Sequence, residues 1–576
     1  KLDTSSSVDM NWMFSGCRRV VNMDLSSFDT SSVTGMRAMF DFCDINLTGL
    51  NVSNFDTSSV VDMSNMFADC QNLISIDLSS FNTPSVTTMN NMFSNCRDLT
   101  GIDLSSFGSS AVTDMYRMFF QCYAAKNIDL SNFNTYAATG AKGMFYACQD
   151  LTGTNFSGFN TSSVTDMSEM FKFCSDLTGL DLSDFDTSSV TTMREMFRNC
   201  TRIRNLDFPS FDTSSVVDMS QMFYSMGLSK SIDVSSFDGS SVVDLSKMFG
   251  ICYDLTGINL SGFNTPSATD MSEMFASCND LTGLDVSDFD TSSVTNMYKM
   301  FGFVRSLTSL DLSSFDTSSV SDMSQMFNGC DRLTGLDLSS FDASSLLSAS
   351  SMFSSCNDLT GVNISNFNAP LLTDTSNMFN ECTSLTGINL SGFDAPLVTD
   401  QRFMFRNCIT LPSLDLSSFS GSSATSTYQM FQNCYNLTSL DVSNFNTSSV
   451  TNMYQMFEDC NSLTGLDLSN FDTSSVSNMQ QMFDDCGSLS DIIGVDQFNI
   501  EAINSTSLLT YFCRGVTLPT PRYDSLLIAW DAQSVKSSMT NVHFGGSLYT
   551  AGGAAEAART NLDTVDLWTI IDGGPA

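Results

Sequence analysis

The chain has 576 residues and a formal charge of -39, with 63 Asp and Glu against 24 Lys and Arg. A surface of that sign repels nucleic acid and anionic lipid, which both select clustered cations. Its single histidine, His543, excludes Ser-His-Asp triads, HExxH zinc sites and multi-histidine metal centres.

A 26-residue unit runs from the first residues to about Phe498; Cys356, Cys382, Cys408, Cys434 and Cys460 mark five successive copies. A period of this size signals a solenoid that grows by stacking turns. The chain enters in mid-repeat at Leu2-Asp3-Thr4, its opening residues do not read as a secretory leader, and an upstream cap or anchor is expected. No apolar run approaches the roughly 18 residues of a membrane-spanning helix.

Each unit opens on a strand. Leu177, Leu180 and Leu182 lie at i, i+3 and i+5, the L-x-x-L-x-L pattern of leucine-rich repeats. Alternation turns Leu180 and Leu182 inward and Asp181 outward. Phe185 follows, in a slot that holds Phe in all 19 units from Phe28 to Phe498. Asp186-Thr187-Ser188-Ser189 then reads as a turn, with side chains that bond to nearby backbone N–H groups. In the return segment Met193, Met196, Phe197 and Cys200 lie at i, i+3, i+4 and i+7, which predicts one face of a short helix. Phe197 belongs to a second Phe column of 19 members, from Phe14 to Phe483, so the two columns take most of the 47 phenylalanines into the core. About eight buried apolar groups per unit, at roughly 1.5–3 kcal/mol each, offset the ordering entropy of a turn only when neighbouring turns are present.

The cysteines fall at one phase, and Met226 and Val304 occupy two of their slots. Stacked thiols have parallel Cβ vectors, poor geometry for bridging, so buried free thiols are expected.

After Phe498 the period is lost. Tyr523–Gln533 and Ala554–Leu562 read as helices and Leu567–Gly574 as a final strand. The predicted organisation is a solenoid over 1–498 and a capping segment over 499–576. The predicted fold class is an α/β solenoid, leucine-rich-repeat-like, with one parallel sheet face, short helices on the other side and a C-terminal cap.

The unit L-T-G-L-D-L-S-x-F-D-T-S-S-V-T-D-M-S-x-M-F-x-x-C resembles the repeat of the BspA-type leucine-rich-repeat surface proteins over residues 1–498. Ser525-Leu-Leu-Ile-Ala-Trp530 and Trp568-Thr-Ile-Ile-Asp-Gly-Gly574 are similar to the segment that closes such arrays. The resemblance implies a microbial surface adhesin, and similar arrays occur in phage structural proteins. It carries no catalytic residues.

Two constellations are candidates for function. The outward strand slot holds a ladder of carboxylates, among them Asp181, Asp207 and Asp233, about 5 Å apart; Ca²⁺ would relieve their repulsion. The other is the variable edge, the slots after Met and around Cys, which differ freely between repeats. Arg117, Lys142, Lys172, Arg194, Arg198 and Arg202 fall there together with Tyr123 and Tyr146. Units one repeat apart are neighbours in space, so these residues predict a basic, aromatic patch suited to a glycan or protein ligand. No repeat breaks pattern to form a pocket, so an enzyme is not expected.

The sequence therefore reads as a non-enzymatic extracellular recognition or adhesion scaffold, located at the cell surface. The expected partners are a cell-surface glycan or protein, without nucleic acid or membrane insertion. The alternative is a structural or receptor-binding component of an extracellular assembly or virion, with self-association.

Overall fold

The computed structural model describes residues 3–20, 23–43, 48–108, 110–131, 133, 135–204, 206–208, 211–421, 423–535 and 538–576. Leu2, the in-phase opening residue, lies outside them. The chain divides into two compact units, Lys1–Asp290 and Thr291–Ala576.

In the first unit short strands pair in parallel, one repeat apart. β1 (Gly49–Asn51) pairs with β2 (Ser75–Asp77). β3 (Gly101–Asp103), β4 (Asn127–Asp129) and β5 (Gly153–Asn155) form a three-stranded sheet, and β6 (Ser231–Asp233) pairs with β7 (Gly257–Asn259). The register sets Gly49 opposite Ser75 and Asn51 opposite Asp77. A second ladder of single parallel bridges runs behind the sheet, through Asp166, Thr192 and Asp218. Most of the predicted core is buried: Leu177, Leu182, Phe185, Val190, Met193, Met196, Phe197 and Cys200 are all buried and Asp181 is exposed, whereas Leu180, predicted to point inward, is only half-buried.

The predicted return helix does not form. Among the described residues no α-helix occurs before Thr520. Between Met193 and Cys200 the backbone donors alternate instead. Met193, Glu195, Phe197 and Asn199 donate to Asp218, Ser220, Met222 and Tyr224 of the next repeat. The N–H groups of Met196, Arg198 and Cys200 close turns onto the residues three before them. The chain turns left-handed twice per unit, here at Glu195 (φ 57°) and Asn199 (φ 60°), and does so in all 19 units. Each such residue costs about 1 kcal/mol or more, and the bonds between repeats offset it. An α-helix would bond its N–H groups internally and leave these carbonyls of the next repeat without partners. Apolar groups at i, i+3, i+4 and i+7 reach one face in either conformation, so the periodicity could not separate them.

Asp186 behaves as the sequence indicates, accepting from Ser188 N (3.1 Å) and Ser188 Oγ (2.6 Å). The Thr187 side chain does not bond locally. Its buried hydroxyl donates to Asp212 O and accepts from Asp212 N, both at 2.8 Å. The same pair of hydrogen bonds joins Thr161 to Asp186 and Thr317 to Asp342. Thr187→Val keeps the shape and strands both Asp212 groups, so it should cost about 1–3 kcal/mol in chemical denaturation. Thr191→Val should cost less than about 0.5 kcal/mol, because that exposed slot already holds Val217 and Val243. Equal losses in the two variants would remove the bridging role assigned to Thr187.

The thiols are free and all but Cys17 are buried. Each buried column member donates to the Phe carbonyl of the preceding repeat, as Cys200 does to Phe171 O at 3.0 Å. Burial pushes the Cys122 and Cys174 thiols up to about 12, so they pack as small apolar groups.

The second unit repeats the scheme with β8 (Gly335–Asp337), β9 (Gly361–Asn363) and β10 (Gly387–Asn389) in one sheet. It adds the pairs β11 (Ser413–Asp415) with β12 (Ser439–Asp441) and β13 (Leu466–Asp467) with β14 (Ile492–Ile493). Beyond these, α1 (Thr520–Asp531) packs on α2 (Ala554–Thr564). β15 (Val542–His543) pairs with β17 (Ile570–Ile571), and β16 (Leu548–Tyr549) with β18 (Gly574–Pro575), all in parallel. Trp530 and Tyr523 of α1 meet Phe544, which joins Phe512 below it, and Tyr523 donates to Asp572 (2.7 Å).

Candidate functional site

The alternation of donors in the return segment sets which side chains reach the surface. Met193, Met196, Phe197 and Cys200 fill the core, leaving the slots of Arg194, Arg198 and Asn199 on the edge. Nothing in the backbone bonding restricts those side chains, so they vary between repeats.

In the first unit three edge rings of successive repeats touch. Phe120 stacks on Tyr146 at 4.8 Å, and Tyr146 meets Phe173 edge-on at 5.6 Å. The Arg117 guanidinium lies 4.6 Å from the Phe120 ring centre and 5.9 Å from that of Tyr146. Lys172 Nζ lies 5.3 Å from Tyr146 and 5.7 Å from Phe173. Cations at these distances are held by the ring faces. Burial, with Glu169 nearby, pushes the Tyr146 phenol up.

The predicted cations are brought together, but around carboxylates. Lys172, Arg194 (3.1 Å) and Arg198 (3.1 Å) all bond to Glu195, whose side chain is 6% exposed. Burial alone would raise the Glu195 carboxyl; Lys172, Arg198 and Arg194 outweigh it and hold the group below its ordinary value. Arg117 pairs with Glu169 at 3.6 Å, and Arg198 also faces Tyr224 at 4.8 Å. Tyr123 stands apart with Arg97 (5.6 Å), and Arg202, 59% exposed, pairs with Asp176 at 3.2 Å. Lys142 is half-buried, and its carbonyl accepts from Arg117 N. The hub Glu195 was missing from the sequence-based candidates. Its signal was Arg194 and Arg198 flanking it, with Lys172 one repeat behind.

The carboxylate ladder has a local use. Ser183 N donates to Asp181 (3.0 Å), and Ser235 donates to Asp233 through N (2.9 Å) and Oγ (2.6 Å). These bonds hold both carboxyls below the ordinary range. Asn155 and Asn259 in the same slot accept from Ser157 and Ser261 alike, so the slot needs an acceptor rather than a charge. Asp207 is exposed in the same column. Among the described residues no three His, Cys, Asp or Glu side chains converge on a common point. The double variant Asp181→Asn, Asp233→Asn should keep the parent's thermal midpoint, with or without Ca²⁺. A Ca²⁺-dependent rise present in the parent and absent from the variant would assign the ladder to the cation instead.

A family model described as "Mycoplasma protein of unknown function, DUF285" matches residues 1–46, 42–154, 120–232, 204–308, 228–332, 303–413 and 399–516. No curated protein matches. Solved structures similar to the chain include an internalin, InlF, from Listeria monocytogenes, at 11% identity over 72% of this chain and 84% of that one, with a TM-score of 0.21. A leucine-rich repeat protein from Eubacterium ventriosum matches at 14% identity over 68% and 79%, with a TM-score of 0.21. The functional domain of InlJ from Listeria monocytogenes matches at 15% identity over 88% and 76%, with a TM-score of 0.15.

Proposed function

The chain belongs to the DUF285 family, and on that premise we propose that it is a non-enzymatic recognition scaffold, binding a glycan or protein of a cell surface along its variable edge. The reading follows the BspA-type surface proteins that the repeat resembles and places the protein outside the cell. No helix among the described residues is long and apolar enough to cross a membrane. In this reading the segment after 498 closes the repeat core.

The observation that carries it is the strip Phe120–Tyr146–Phe173 with Arg117 and Lys172 on its faces. Core slots stay constant along the chain, while these neighbouring edge slots differ from repeat to repeat and hold touching rings. Aromatic and Arg groups of this kind anchor partner surfaces. The cations are already partnered, so they steer and orient a ligand rather than supply an open basic patch.

The test compares binding of the parent and of a Phe120→Ser, Tyr146→Ser variant to intact cells and to glycan and protein panels. Ser94 and Ser354 already occupy that slot, so the variant should fold. Saturable binding weakened at least tenfold is the expected result. Binding that both chains share equally would remove the strip from the function, and a parent that binds nothing would end the reading.

A further inference from the structure

In the second unit the same edge carries a different surface. Arg402, Tyr428 and Tyr454 occupy the Arg194 slot in three successive repeats, and an open groove of about 650 Å³ is lined by Arg402, Phe403 and Tyr428 on one side. Phe403 meets Tyr428 edge-on at 5.2 Å, and Tyr428 stacks on Tyr454 at 5.1 Å. The row is fixed at both ends. Arg406 lies 5.4 Å from the Phe403 ring centre and donates to Gln432 at 2.8 Å; the Tyr454 hydroxyl bonds to Gln481 at 3.2 Å. The Tyr428 hydroxyl has no hydrogen-bond partner among the described residues.

The opposite wall is a row of hydroxyls. Thr399, Thr425 and Thr451 each donate to the carbonyl one repeat back, at 3.3, 3.1 and 3.1 Å. Their one proton is spent, so toward the groove they offer lone pairs alone. Asn452 accepts from Tyr454 N through Oδ1 (3.0 Å), which leaves its amide N–H groups to donate. A ligand here meets acceptors repeated along the threonine row, at a spacing set by the turns, and donors at Asn452, Ser426 and Tyr428.

Charge narrows the class. Arg402 is clamped to Asp400 by bonds of 2.6, 2.9 and 3.0 Å, so the groove's cation is neutralised. An anionic ligand would meet no free cation in the groove and a chain of formal charge -39 around it. No aliphatic side chain lines the groove among the described residues, so an apolar peptide anchor has no pocket. Sugar rings present several hydroxyl donors and an apolar C–H face that packs on aromatic side chains.

We infer that the groove between the Phe403–Tyr428 pair, which Tyr454 backs by stacking, and the Thr399–Thr425–Thr451 row binds a neutral saccharide. The inference rests on the reading of the variable edge as the recognition surface, and it names the ligand class of this part of it. Other repeats supply the variants. The Tyr428 slot holds Ser168, Ser220 and Ser246, and the Thr425 slot holds Val217 and Val243, so Tyr428→Ser and Thr425→Val should both fold.

The parent is titrated with neutral hexose and N-acetylhexosamine oligosaccharides, and with anionic ones, by calorimetry and saturation-transfer NMR. Saturable binding to a neutral oligosaccharide is expected, weakened at least tenfold in Tyr428→Ser and several-fold in Thr425→Val. It should be unchanged in Thr191→Val, which changes the equivalent slot in the first unit. No neutral binding, binding confined to anionic oligosaccharides, or binding that both groove variants keep would each overturn the site. If cells still bind through the first-unit strip while neutral oligosaccharides do not, only the saccharide groove falls. If the groove binds while the strip variant still binds cells, only the strip reading falls.

Discussion

Phe197→Ala should lower the stability of the first unit by about 3–5 kcal/mol. The ring is fully buried and nearly parallel to both neighbours, 5.6 Å from Phe171 (4°) and 6.0 Å from Phe223 (2°). Its removal opens a cavity between two turns at once. The walls cannot close on it, because the hydrogen bonds from Phe197 N to Met222 O and from Met193 N to Asp218 O fix the spacing of the turns. Each repeat rests mainly on its neighbours, so the loss should be local before it is global. Denaturant unfolding gives the size, and hydrogen exchange should place the fastest new opening in the repeats around Phe171 and Phe223. A loss under about 1 kcal/mol would show that the turns relax toward each other and that the bonds do not hold their spacing.

The second large effect concerns Glu195. Replacing Lys172, Arg194 and Arg198 together with Met should cost on the order of 3 kcal/mol at pH 7. That is the low end for leaving a buried charge unpaired, because Arg194 is 42% exposed. The pH dependence should change sign. In the parent the Glu195 carboxyl sits below its ordinary value. Its contribution is therefore complete above an unfolded value of about 4.3 and is lost as pH falls through the lower folded value. In the triple variant burial acts without opposition and raises the group. Its penalty is then full at neutral pH and relieved as the carboxyl protonates, so the gap between the two chains should narrow as pH falls from 7 toward 5. Adding Glu195→Gln to the triple variant should recover most of the loss at pH 7. A triple variant within about 1 kcal/mol of the parent, with no recovery from Glu195→Gln, would mean that solvent already serves this carboxylate.

The same cluster changes how the basic patch can be tested. Arg194, Arg198 and Arg202 are natural targets when only the sequence is considered. Substituting the first two disturbs Glu195 and confuses lost binding with lost folding. The rings Phe120 and Tyr146 are cleaner probes, because their slot accepts Ser elsewhere.

Much of the architecture was legible in one chain because the repeats align with each other. Leu182, Phe185, Met193, Met196, Phe197 and Cys200 are buried where their periodicity put them, and the Cys column is free as the tolerance of Met226 and Val304 implied. The edge slots were legible too, since they are the positions that vary. Pairing across the edge was less so. Lys172 and Glu195 are 23 residues apart in sequence, and their contact follows from how one turn lies on the next.

By itself the sequence determined the period, the parallel stacking, most of the inward set and the two Phe columns, because burial of apolar side chains depends on residue type and phase, and both are written in the chain. The tertiary structure alone decided the form of the return segment and the partners of the polar groups. Met193 to Cys200 could satisfy its N–H groups within a helix or across to the next repeat, with the same apolar face in both. The carbonyls of Asp218, Ser220, Met222 and Tyr224 settled the choice. Glycine at 16, 143 and 329, each with positive φ in the left-handed slots, was the trace of that choice in the sequence. Likewise Thr187 reads as a turn residue until the next turn sets Asp212 N and O against its hydroxyl. A hydrogen bond needs its partner in place, and that place exists only once the turns are stacked.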